Sequence, residues 1–144
     1  MLTDSEKKAV IPMLQEVPLF SSLEKKGLNT IANSAAKKTY DEGDKIAREG
    51  DKALSFYLIL DGAVEVRRKN KILAELGRGQ FFGEMALFDN QPRSADVIAT
   101  EPTTCILLTS WALSGVIAGN PKIALQIISE LVRRLRESDK ALSE

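Results

Sequence analysis

From Lys37 onward the apolar residues stop recurring at helical spacing and begin to alternate with a period of two. That change restricts the fold more than any other feature of the chain. Short alternating runs at 37–40, 45–48, 55–60, 63–67, 72–76, 94–99 and 103–108 are separated by turn signals. Glu42-Gly43-Asp44, Glu49-Gly50-Asp51, Asp61-Gly62 and Gly77-Arg78-Gly79 supply the corners. Many short strands with glycine-rich corners indicate a small β-barrel or jelly roll.

Helical spacing holds on both sides of this region. Thr3 or Asp4 can cap a first helix in which Val10, Met13, Leu14 and Val17 share a face, with Pro12 making it short or kinked. A second helix, about 24–36, carries Leu28, Ile31, Ala32 and Ala35 on one face, and Gly27 weakens its first turn. After the strands, 111–118 reads as a short helix ended by Gly119-Asn120-Pro121. A long helix then runs from about 121 to 142, with proline at a permitted N-terminal position. Within it Ala124, Ile128, Leu131, Leu135, Ser138 and Leu142 have the spacing of a coiled-coil seam. Ile123, Leu125, Ile127 and Val132 widen the apolar surface of its first half, so the early turns are expected to pack on the barrel. Glu130 and Arg134 lie four apart in the favourable order, and Arg133, Arg134 and Arg136 read as a solvated face.

Composition removes several function classes. Lys+Arg and Asp+Glu are both 20, so the basic excess of a nucleic-acid footprint is missing. The chain of 144 residues, with 44% hydrophobic and 28% charged residues, fits one soluble globular domain. No apolar run approaches the roughly 20 residues of a membrane span, and the charged N-terminus lacks the apolar region of a signal peptide. A single cysteine, Cys105, suits the cytoplasm. There is no histidine, which excludes His-dependent triads and His-containing zinc sites and weighs against an enzyme.

Chemistry concentrates in Phe81-Phe82-Gly83-Glu84-Met85-Ala86-Leu87 and the nearby Pro92-Arg93-Ser94-Ala95. Gly83 lets backbone approach a ligand closely, and the turn that starts there points free N–H groups outward, as suits a phosphate. The Arg93 fork can neutralise that phosphate through charge-assisted hydrogen bonds of about 1.5–3 kcal/mol each. Glu84 would repel a phosphate, so it fits only as an acceptor for hydroxyls such as those of a ribose. The three together imply a sugar phosphate. The competing reading is a turn with a Glu84–Arg93 salt bridge across a loop, worth little if exposed.

The stretch closely resembles the phosphate-binding cassette of cyclic nucleotide-binding domains: Phe-Gly-Glu, a long apolar residue, Ala-Leu, a short insert, then Pro-Arg, a small residue and Ala. Pro18-Leu19-Phe20 with Leu23, Gly43-Asp44, Glu49-Gly50-Asp51 and 57–62 look like further family markers. Asn120-Pro121 and Val132-Arg133-Arg134-Leu135 look like the long helix of the bacterial catabolite activator, so the likeness covers nearly the whole chain. With it, the expected fold is α+β, mainly β: an eight-stranded antiparallel jelly-roll β-barrel with N-terminal helices and a long C-terminal helix. A single domain 1–144 divides into helices 1–36, a barrel 37–109 with the cassette at 81–95, and C-terminal helices 111–142.

The resemblance implies that Glu84 binds the ribose 2′-hydroxyl and Arg93 the cyclic phosphate, helped by backbone amides around Gly83 and Ala86 and by the Ser94 hydroxyl. Met85 and Ala95 complete the cassette, while Val66, Leu73 and Leu76 would line the barrel beside the nucleotide. Ser138 or Asp139 would meet the base. It implies cAMP as ligand, favoured over cGMP, with Ser94 weakly informative because a hydroxyl there accompanies either. It implies no cofactor and no catalysis. Its mechanism is a population shift in which the cassette closes and the last helix moves to cap the base. The apolar seam would then report to a second copy or to an effector domain. Transcription factors of the family continue into a helix-turn-helix, whereas this sequence stops at Glu144, so DNA binding is not carried over. The alternative is a structural or interaction domain that keeps the barrel without its ligand.

Overall fold

The structure is a computed structural model that describes residues 2–89 and 91–143, the side chains of Ala86 and of 141–143 excepted. Helix α1 (Asp4–Gln15) starts at a capping box: Thr3 Oγ1 accepts from the Glu6 amide at 3.1 Å and the Glu6 carboxylate accepts from the Thr3 amide at 2.9 Å. The helix runs through Pro12, which falls in the last turn, where one missing N–H interrupts little. A 3₁₀ turn (Pro18–Phe20) follows, and then α2 (Lys25–Ser34).

Eight strands come next in the chain: β1 (Ala36–Tyr40), β2 (Lys45–Ala47), β3 (Ser55–Asp61), β4 (Ala63–Arg68), β5 (Lys71–Gly77), β6 (Phe81–Phe82), β7 (Asp96–Ala99) and β8 (Thr103–Thr109). Helix α3 (Ala86–Asp89) lies between β6 and β7, and α4 (Ser110–Gly119) and α5 (Lys122–Ser143) end the chain. The strands form two antiparallel four-stranded sheets, ordered β1-β8-β3-β6 and β2-β7-β4-β5. The expected barrel is therefore not closed by hydrogen bonds. Its would-be seams fall on strands of only two and three residues, β6 and β2, which offer too few backbone groups to join the sheets. The fold is a two-sheet roll.

Alternation along β3 explains the packing. Phe56 and Leu58 point to one face, into a cluster with Val10, Leu14, Leu19, Phe20, Leu28 and Ile31 from the helices. Tyr57 and Ile59 point to the other, among Ile46, Val64, Val97, Ala99 and Cys105 between the sheets. Burial in that second cluster pushes the Cys105 thiol up to about 12, so it is an inert core residue. Chain reversal between β3 and β4 requires Gly62: its φ is +103°, and a Cβ there would meet the Thr103 hydroxyl at 2.5 Å and the Pro102 carbonyl at 2.6 Å. The β4–β5 reversal uses two left-handed residues, Lys69 and Asn70.

Helix α5 departs from expectation in two ways. Its buried residues Ile123 and Ile127 pack with the helical cluster, over the 3₁₀ turn and α4, rather than on the strands. Ile123 packs over Gly27 in the first turn of α2, 3.5 Å from where a Cβ would stand, an ordinary contact that leaves room for alanine there. Glu130 is buried and takes its hydrogen bonds from Arg133 (Nε to Oε2, 3.1 Å) and from the Ser22 hydroxyl (3.2 Å), not from Arg134. Arg133 also reaches Glu137 at 2.6 Å. The expected seam stays open, with Ile128 and Leu135 52% and 62% exposed and the Leu142 side chain outside the described residues.

Candidate functional site

The cassette begins where β6 leaves the first sheet. Phe81 packs on Phe56 (6.0 Å between rings) and Phe82 stacks on Tyr57 (4.8 Å, 10° between planes), which fixes the direction of the chain into Gly83. Its far end is tied down by backbone. The Arg93 amide donates to the Asp51 carbonyl at 2.8 Å, and the Gly50 amide donates to the Arg93 carbonyl at 2.9 Å. The Glu49-Gly50-Asp51 turn thus holds Arg93 in place, and β7 starts only at Asp96, two residues later than its alternation suggests.

Between these anchors lies a cavity of ≈ 340 Å³ lined by Gly83, Met85, Arg93, Ser94, Ala95 and Val66 among others. Its volume is at the lower end of ordinary small-molecule sites, about 300–1,000 Å³. Sequence reasoning missed Ala53, Phe82, Asp89, Gln91 and Val97, which also line it. Val97 was findable, because it sits directly across from Val66 in the β4–β7 register and alternates with the same phase.

Arg93 is the cavity's only arginine or lysine among the lining residues described. Its Nη2 donates to the Ser55 carbonyl at 2.6 Å, and its guanidinium carbon lies 5.6 Å from the centre of the Tyr57 ring. Burial lowers its pKa, and the Tyr57 hydroxyl pulls the other way. Gly83 is required beside it: φ is +81°, and a Cβ would collide with the Arg93 guanidinium and stand 2.9 Å from the Ser55 carbonyl. Gly83→Ala is expected to destabilise the fold by about 1–3 kcal/mol and to displace Arg93, read as a lower urea midpoint together with weakened anion binding.

Glu84 points away from the cavity toward α5. Its Oε1 is 3.9 Å from Arg134 Nη1, while Oε2 and that same Nη1 are buried without a hydrogen-bond partner. Burial raises the Glu84 pKa, and the charge of Arg134 and the Leu19 backbone amide lower it. An underused carboxylate and an underused guanidinium thus face each other across the cassette and the last helix. The salt bridge between Glu84 and Arg93 allowed by their spacing is not formed.

The remaining candidates separate into two groups. Ser94 and Ala95 line the cavity with Met85, which is 54% exposed, and the Ser94 carbonyl accepts from Arg68 Nε at 2.9 Å. Ala86 opens α3, with its side chain outside the described residues. Leu73 is 45% exposed on the edge strand β5, and Leu76 packs toward the cluster between the sheets; neither lines the cavity. Ser138 and Asp139 are exposed on the outer half of α5, also away from it. No group of three or more possible metal-ligating carboxylates or thiols occurs among the described residues.

The sequence pattern of the cyclic nucleotide-binding domain matches residues 37–120, and the chain belongs to that family. It is 35% identical over 99 residues to a cAMP-dependent protein kinase type II regulatory subunit of Drosophila melanogaster, covering 66% of this chain and 26% of that protein. It is 33% identical over 130 residues to the Cyclic AMP receptor protein of Thermus thermophilus, covering 87% of this chain and 60% of that one. The chain therefore spans less than two thirds of either relative. A crystal structure of the N-terminal domain of a transcriptional regulator from Streptomyces coelicolor superposes with a TM-score of 0.84 at 27% identity, covering 90% of this chain and 94% of that one. The family is one of regulatory ligand-binding domains.

Proposed function

We propose that the chain, as one unit over 1–144, is a cyclic nucleotide sensor that takes cAMP in preference to cGMP and answers by shifting α5. The observation that carries the reading is the pairing of two half-satisfied groups across one turn. Arg93 sits in the cavity on a neutral carbonyl, and Glu84, beside Gly83, holds α5 through Arg134 at 3.9 Å. A cyclic phosphate is a better partner for the guanidinium than the Ser55 carbonyl, because it brings a full opposite charge and two oxygens to the planar fork, where the carbonyl offers one neutral acceptor. Ribose hydroxyls would give Glu84 the donors that Oε2 lacks. Binding would then turn Glu84 inward and release Arg134, loosening the outer half of α5 from the cassette.

The preference for cAMP rests on the longer match to the bacterial cyclic AMP receptor protein, 87% of this chain against 65% for a cGMP-dependent protein kinase, and Ser94 at the cavity wall does not decide between the bases. The role is that of a receptor and not of an enzyme, in keeping with a regulatory family. The open stripe of Leu125, Ile128, Leu131, Val132 and Leu135 on α5 would be covered by a second copy or an effector domain. A reducing, cytoplasmic setting suits the single buried thiol of Cys105, and no described helix is long and apolar enough to cross a membrane.

Calorimetry with cAMP, cGMP and cyclic dinucleotides tests the reading; saturable cAMP binding is expected, and no heat with any of them would sink it. The output has its own test. In the unaltered protein cAMP should change amide exchange over the α5 segment 131–140 several-fold, and in Arg134→Ala that response should vanish while binding persists. An undiminished response in Arg134→Ala would show that the helix is not coupled through Glu84.

A further inference from the structure

A second groove, of ≈ 320 Å³, shares only Arg93 with the nucleotide cavity. It runs between β2, the start of β3 and the first turn of α4. Two large apolar side chains stand open there, Trp111 at 67% exposure and Leu54 at 39%. Tryptophan is the residue most over-represented where a few contacts carry the affinity of a protein interface. The rim is cationic: Lys45, Arg48 and Lys52 line it with Arg93 at its inner end, against one lining carboxylate, Asp51. Asp96 lies just outside, 3.3 Å from Lys45 and within electrostatic reach of Arg48. Lys52 forms no ion pair among the described residues. Even with Asp96 counted, cations outnumber carboxylates four to two. This local excess is notable on a chain whose formal net charge is zero.

We propose that this groove docks an acidic segment of a partner protein, with an aliphatic side chain of the segment seated on Trp111 and Leu54 and its carboxylates on Arg48 and Lys52. Apolar area and charge point to one occupant. A small inorganic anion would leave Trp111 and Leu54 uncovered, and a neutral apolar segment would leave Lys52 facing nothing. An acidic segment with an aliphatic anchor satisfies both, with the charges steering encounter and the indole supplying contact area.

Trp111 is the only tryptophan in the chain, so its emission reports on this groove directly. The full chain is titrated with a short synthetic peptide of Asp and Glu around a central leucine pair, with the same peptide carrying Asn and Gln instead, and with sodium phosphate. A saturable change in Trp111 emission with the acidic peptide is expected, weakening with added salt and about tenfold or more weaker in the Arg48→Glu/Lys52→Glu variant. Far-UV circular dichroism checks that this variant is folded, and Lys52→Glu alone replaces it otherwise. An equal response to the Asn/Gln peptide, an equal response to phosphate alone, or an affinity untouched by charge reversal overturns the proposal.

Discussion

Arg93→Ala is expected to weaken cAMP binding at least tenfold, a loss of about 1.4 kcal/mol or more, as read by calorimetry. The lower bound is conservative, because two charge-assisted hydrogen bonds at about 1.5–3 kcal/mol each would exceed it. No second lysine or arginine lines the cavity among the described residues, so nothing nearby can take over the phosphate. Arg93→Lys separates charge from shape: it keeps the cation but not the fork, and should fall between the two. The fold should tolerate the change. The anchors of the cassette end are the backbone bonds of residue 93 to Gly50 and Asp51, which alanine retains. What is lost is one hydrogen bond to the Ser55 carbonyl and the contact over Tyr57. A variant that stays folded and binds cAMP as well as the parent would remove Arg93 from the site.

The two-residue alternation from Lys37 and the glycine corners made seven of the eight strands readable, since both are local properties of the chain, whereas β6 (Phe81–Phe82) is too short to show an alternation. What joins distant segments was not readable. Nothing in the residues of β6 or β2 announces that the roll stays open, because closure depends on how many backbone groups two short strands bring together. The same holds in α5. Spacing alone paired Glu130 with Arg134, yet Ser22 and Arg133 satisfy Glu130 and leave Arg134 to meet Glu84, fifty positions earlier. The composition of the cassette was legible from Gly83, Glu84 and Arg93, whereas the opposite directions taken by Glu84 and Arg93 follow from packing against the Ser55 carbonyl and α5. Leu73, placed beside the nucleotide by resemblance, lies on the edge strand β5 and is half open to solvent, a position that depends on which strands pair.

Phe56→Ala is expected to destabilise the fold by about 3–5 kcal/mol, the usual range for emptying a buried aromatic site. Phe56 is 1% exposed and stands between two other rings, edge-on to Phe20 at 5.7 Å and tilted against Phe81 at 6.0 Å. Phe20 belongs to the 3₁₀ turn on which α5 packs, and Phe81 begins the short strand that delivers Gly83. The three rings therefore connect the helical layer, the first sheet and the cassette, and a cavity in the middle loosens all three. Because domains of this size are stable by only about 5–15 kcal/mol, the variant should show a much lower urea midpoint. It should also bind cAMP more weakly than the fraction folded explains, since β6 loses the partner that fixes its direction. Phe56→Leu, which refills part of the space, should recover most of the stability but not the ring contacts. If Phe56→Ala lowers stability yet leaves the affinity of its folded fraction unchanged, β6 is positioned by the Phe82–Tyr57 stack alone.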